Sequence, residues 1–151
     1  LTIFETDRRI DDAKKFMKEL ERFADKIQFI TDKSAIPAWA PWRADKIRIA
    51  ILDTGIDAKD DILLRTALED KRIKACCGFL NDADSDPDPA DYQDVNGHGT
   101  HVTRLVLNAA PSADVFIAKI SDENKLATQD FHRITRVSKN KPRKWETEYH
   151  C

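Results

Sequence analysis

Two short stretches hold residue types suited to proton transfer. "NGHGTHVT" (96–103) contains two of the chain's four histidines and two of its four glycines, and "LDTGID" (52–57) places Asp53 directly after an apolar run. Glycine on both sides of His98 lets the backbone turn sharply and lets a second segment approach closely. Asp53 follows a strand expected to be buried, where a carboxylate needs partners. An imidazole N–H is a suitable one, and the carboxylate then fixes the tautomer and orientation of a histidine acting as general base. Asp53 and His98 therefore read as the orienter and the base of a nucleophilic triad.

Metal chemistry fits these residues less well. His98 and His101 are three apart, whereas the helical zinc motif needs a spacing of four and an adjacent Glu. No metal is expected there, and His101 is expected to be a structural residue beneath the site. Residues 82–94 hold six Asp and no Lys or Arg. As a calcium loop starting at Asp82 they would put Pro87 and Gln93 where Gly and Glu are required. A solvated acidic loop is the preferred reading, with a calcium-binding surface module as a third-ranked function.

The elements that must position Asp53 and His98 follow from periodicity. Ile47, Ile49 and Ile51 alternate with Ala50 and Leu52 between them, a pattern apolar on both faces that predicts a central parallel strand. Gly55 ends it at a turn that tolerates positive φ. A short helix is expected over 61–69, a strand over 73–80 and a loop over 81–93. A helix over 99–109 carries Val102, Leu105, Val106 and Ala109 on one face and is stopped by Pro111. A buried-type strand over 113–120 and a helix over 127–136 complete the series. Alternating strands and helices predict an α/β fold, a parallel sheet with flanking helices. In such sheets functional groups gather at the carboxyl ends of strands, which is where Asp53 sits.

Ahead of this region, residues 7–28 carry Ile10, Ala13, Met17, Leu20, Ala24 and Ile27 at helical spacing. They predict an amphipathic helix packing on its own domain, or else docking a partner helix. Ser34 to Trp42, with two prolines and two tryptophans, reads as a connector.

The totals bound the rest. The chain has 151 residues, 34% charged and 41% apolar, with a net charge of -2. That balance gives no general attraction to nucleic acid or membrane. No apolar run has the length of a membrane span and no secretory leader is visible, so a cytoplasmic location is expected. The first residue is Leu1, so the natural start is expected to lie upstream. Cys76, Cys77 and Cys151 are odd in number and two are adjacent, which argues against a disulfide framework.

"IAILDTGID" and "NGHGTHV" resemble the aspartate and histidine motifs of the subtilases, the subtilisin-like serine proteases. The resemblance covers residues 46–135. It implies a subtilisin-like parallel sheet, Asp53 as orienting aspartate and His98 as general base. Gly97 and Gly99 border the substrate groove on this reading. It also implies peptide-bond hydrolysis on a peptide or protein substrate, with no cofactor. Thr54, Gly55 and Asp57 match the rest of the first motif; Gly99, Thr100 and His101 match the rest of the second. Thr103-Arg104 replaces the family's small pair after "HGTHV", with Arg104 expected to point away from the sheet. "HGTHVTRL" resembles a branch found in fungal multidomain proteins.

The family's Gly-Thr-Ser type segment and its oxyanion Asn do not occur in these residues: Ser34, Ser85, Ser112, Ser121 and Ser138 all lie in other contexts. The domain reading is a helical segment and linker at 1–43, a partial catalytic domain at 44–136, truncated before its serine-bearing part, and an unmatched basic tail at 137–151. Val137-Ser138 is what a common intron donor encodes in frame, so the tail is read as translated intron. Loss of a nucleophile costs about a million-fold in turnover. The expected function is thus a serine-type endopeptidase by family, inactive as these 151 residues alone. The alternative is a catalytically dead subtilase-like binding module.

Overall fold

The computed structural model describes residues 3–31, 46–81, 85–123, 125, 127–128 and 130–139. The chain divides into two compact units, one formed by Leu1–Asp45 with Asn108–Ser112 and the other by Lys46–Leu107 with Ala113–Cys151. In the first, helix α1 spans Ile3–Thr31, beyond both ends of the 7–28 stripe. On that stripe Ala24 is buried and Met17 and Leu20 are half-buried, but Ile10 and Ala13 are exposed. Phe16 and Phe23, off the stripe, are also exposed. The Ser34–Trp42 connector lies outside the described residues. Among those described, no helix is long and apolar enough to cross a membrane.

The second unit is a three-layer α/β arrangement. Strands β1 (Arg48–Asp53), β2 (Ile73–Gly78) and β3 (Asp114–Lys119) form a parallel sheet in the order β1-β3-β2. Helices α2 (Ile62–Glu69), α3 (His98–Ala109) and α4 (Asp130–Lys139) accompany it. The strand period of two, broken in β2 by a register shift between Ile73 and Ala75, divides the core into two faces. On one, Ile51, Val115, Ile117, Ile73 and Cys76 pack with Leu64 and Ala67 of α2 and Leu107 of α3. On the other, Phe116, Ala118, Ala75 and Cys77 pack with Phe79, Ile120 and Val137 of α4. Each large apolar side chain so buried contributes roughly 1.5–3 kcal/mol.

The expectation of a central β1 is corrected. Among the described residues β1 is an edge strand and β3 is central, with all six of its residues buried. β1 is also only partly covered, with Ile51 buried, Ile49 and Leu52 half-buried and Ala50 exposed. An apolar run reports neither which strands lie beside it nor how fully its faces are covered. The expected start of α4 also moves. Asp130 accepts the Ala127 N–H at 2.7 Å, so the helix begins at 130. It then runs unbroken through Arg136 and Val137 to Lys139, and Val137, 6% exposed, belongs to the core. Cys76 is disulfide-bonded despite the odd count, while Cys77 is a free buried thiol. As neighbours on a strand they face opposite sides of the sheet, so each has a different environment.

The described part of the acidic segment is largely solvated, with Asp86 and Asp88 exposed, but it is tied down at several points. Asp88 and Gly78 exchange backbone hydrogen bonds of 2.8 and 2.9 Å, Asp91 pairs with Lys119, and Asp94 is buried. Arg136 bonds Asn81 and the Ser85 carbonyl and lies over the Phe79 ring. Residues 82–84 lie outside the described residues. Among those described, no group of three or more His, Cys, Asp or Glu is arranged to hold a metal ion.

Candidate active site

Asp53 is the last residue of β1, and His98 is the first residue of α3. Their meeting follows from local chain geometry. After Asp53 the chain turns at Gly55, whose φ of 106° is open to glycine. Before His98 it turns at Gly97, with φ 92°. Gly99 then sits hard against the first turn: a Cβ there would stand 2.4 Å from the Gly55 carbonyl oxygen. The two glycines flanking His98 thus serve different ends, a turn at 97 and a close backbone approach at 99.

The result is a 2.8 Å contact between His98 Nδ1 and Asp53 Oδ1. With Nδ1 protonated, the imidazole donates to the carboxylate, and Nε2 is the ring nitrogen left to exchange a proton. Asp53 also accepts the Thr54 N–H at 2.8 Å, which fixes the carboxylate's orientation. The Asp53 side chain is 17% exposed and that of His98 48%, so the carboxylate is sheltered and the imidazole is reachable. No described serine is hydrogen-bonded to His98. Ser121, just beyond β3, is buried and accepts the Glu123 N–H.

Several other expectations meet the structure here. His101 is exposed, not buried beneath the site: three residues after His98, it lies on the same solvent-reached side of α3. Arg104 is exposed and pairs with Asp61 at 3.0 Å. Asp61 in turn caps α2 by accepting the Leu64 N–H. Gly97 is exposed with open space around it, and Gly99 is buried.

Two charged residues that sequence reading passed over support the same region. Asp94, 5% exposed, accepts the N–H groups of Asn96, Gly97 and Thr100 and the hydroxyls of Thr54 and Thr100. Burial works to raise its pKa, but the donors from Thr100, Gly97 and Thr54 together outweigh it and hold the carboxyl at about 2. Lys119 ends β3, in register with Asp53. It is buried, and bonds Asp91, Asp122 and the Gln93 carbonyl. Burial acts to lower its pKa, and the two carboxylates overcome that and raise it. A cavity of about 370 Å³ opens beside this network, lined by Asp57, Asp60, Asp61, Asp94 and Thr100 among others.

Comparison with known proteins fits the geometry. The model of the subtilase family matches residues 44–143. The chain belongs to the subtilase family. Among this subtilase's curated relatives is a thermostable alkaline protease of Halalkalibacterium halodurans, 37% identical over 86 residues, which are 51% of this chain and 20% of that protein. Another is an intracellular serine protease of Paenibacillus polymyxa, 31% identical over 102 residues, 62% of this chain and 29% of that protein. The chain therefore spans less than a third of either relative. No solved structure matches it.

Proposed function

We propose that this chain supplies the aspartate and histidine of a serine-endopeptidase active site, acting on a peptide or protein substrate without a cofactor. The observation that carries the reading is the 2.8 Å Asp53–His98 contact in a chain of the subtilase family. In the reaction a serine hydroxyl from outside these 151 residues attacks the scissile carbonyl. His98 Nε2 takes the hydroxyl proton and then delivers it to the leaving amine. Asp53 holds Nδ1–H throughout and stabilises the transient imidazolium. Gly97, exposed beside His98, borders the path of the substrate.

The finer parts of the reading rest on sequence. These 151 residues by themselves are inactive, since none of their serines stands in the family's Gly-Thr-Ser context. The exposed apolar residues of α1 are consistent with a partner helix, and Thr103-Arg104 with the fungal multidomain branch. Nucleic acid and membrane are not partners on this reading. A cytoplasmic location draws support from the name of the P. polymyxa relative. The alternative reading is a catalytically dead binding module.

A fluorophosphonate probe, which reacts with activated serines, separates the two. The native gene product carrying this chain is expected to label, and His98→Ala to abolish labelling. Equal labelling of both forms would refute the proposal. The isolated 151-residue chain is expected not to label.

A further inference from the structure

The proton relay described above makes no direct use of Asp94, yet this carboxylate is the most heavily bonded group near it. Oδ1 accepts Asn96 N–H at 3.0 Å, Gly97 N–H at 2.8 Å and the Thr54 hydroxyl at 2.8 Å. Oδ2 accepts Thr100 N–H at 2.8 Å and the Thr100 hydroxyl at 2.6 Å. An ionised carboxylate only accepts, so both hydroxyl protons must point at it. Each hydroxyl oxygen is then free to accept from elsewhere, and each does. Thr54 Oγ accepts the Gly99 N–H at 2.9 Å, and Thr100 Oγ accepts the Asp57 N–H at 2.9 Å.

These two bridges join the loop after β1 to the first turn of α3. Thr54 follows Asp53 in the chain, and Gly99 follows His98. The bridge Asp94–Thr54–Gly99 therefore runs alongside the Asp53–His98 hydrogen bond, one residue further on at each side. Asp94 N–H also donates to the Ile56 carbonyl at 3.2 Å, tying the carboxylate's own backbone to the same loop.

We propose that Asp94 is a positioning residue: through the hydroxyls of Thr54 and Thr100 it sets the separation at which His98 meets Asp53. The role rests on the reading of Asp53 and His98 as a proton relay. The test reads their hydrogen bond directly, so failure of the clamp and failure of the relay are distinguishable.

The measurement is proton and nitrogen NMR of the full 151-residue chain with labelled histidine. A carboxylate-bonded Nδ1–H gives a far-downfield proton and a single ring tautomer. The wild type is expected to show both. Asp94→Asn puts an amide donor against donors, and should abolish the downfield proton and mix the tautomers. The backbone amide signals of Val115 to Ala118, in the central strand, should stay in place. Thr54→Ser keeps the hydroxyl and should retain the signal, while Thr54→Val should lose it. That pair carries the test if Asp94→Asn fails to fold. An intact downfield proton in folded Asp94→Asn, or in folded Thr54→Val, overturns the positioning role alone. Its absence from the wild type overturns the relay itself, and the positioning role with it.

Discussion

Gly99→Ala sets two physical effects of opposite sign against each other. Position 99 lies inside α3, where replacing Gly by Ala ordinarily stabilises by about 1 kcal/mol through helix propensity. The structure predicts the reverse. The added Cβ would stand 2.4 Å from the Gly55 oxygen, 3.0 Å from the Gly55 nitrogen and 3.1 Å from the Thr54 nitrogen. All three are backbone atoms, so no rotamer change relieves the contact. A carbon–oxygen approach settles near about 3.3 Å, so the turn of α3 must retreat from the loop by roughly 1 Å. Overpacking of this kind costs about 1–3 kcal/mol, and stretching the Gly99–Thr54 hydrogen bond costs about 1 more. After the propensity gain, a net loss of about 1–3 kcal/mol remains. The same retreat pulls at the 2.8 Å Asp53–His98 contact, taking it toward the distance at which a hydrogen bond no longer exists. Urea unfolding of wild type and variant checks the sign. A Gly99→Ala chain as stable as wild type, or more stable, would refute the close-approach argument.

Acid pH should weaken the fold through Asp94. Its carboxyl is held at about 2, below the ordinary 3.8. Its stabilisation, on the order of 2 kcal/mol, is therefore full above about pH 4 and lost as the pH falls through 2. Asp94→Asn should flatten that limb of the stability curve, and an unchanged limb would contradict the assignment. Cys77, its thiol pushed up to about 12 by burial, should resist a thiol reagent in the native chain and react once unfolded; rapid native labelling would show that its cover on the α4 side opens. Val137→Ala should lose about 1–3 kcal/mol by leaving a cavity under α4. A neutral result would show that α4 does not seal that face.

The meeting of Asp53 and His98 was legible in the sequence because its signals are local. A carboxylate that closes an apolar strand and a histidine between glycines are each visible within eight residues. Strands and helices fell near their expected places for the same reason. What the sequence obscured depends on contacts between distant segments. Asp94 sits in a run of six Asp that reads as solvated. Its distinguishing signal is its place just before a helix start, where a carboxylate caps free N–H groups. Lys119 looks like an ordinary strand residue until Asp91 and Asp122 are brought to it. The edge position of β1 was hidden because facial burial and lateral pairing are separate properties. His101 appeared structural from its place in the motif, yet it shares the exposed side of α3 with His98.

On the proposed reading, Asp53 and His98 form the proton-handling part of a peptidase site. It is tested most directly by kcat/KM for casein or a chromogenic peptide. The native gene product carrying this chain would be compared with its Asp53→Asn and His98→Ala forms, each checked for a native unfolding transition. Both variants should lose about 10⁴-fold or more, and a serine-directed inhibitor should block proteolysis by the wild type. Folded variants that cleave as fast as the wild type would contradict that reading.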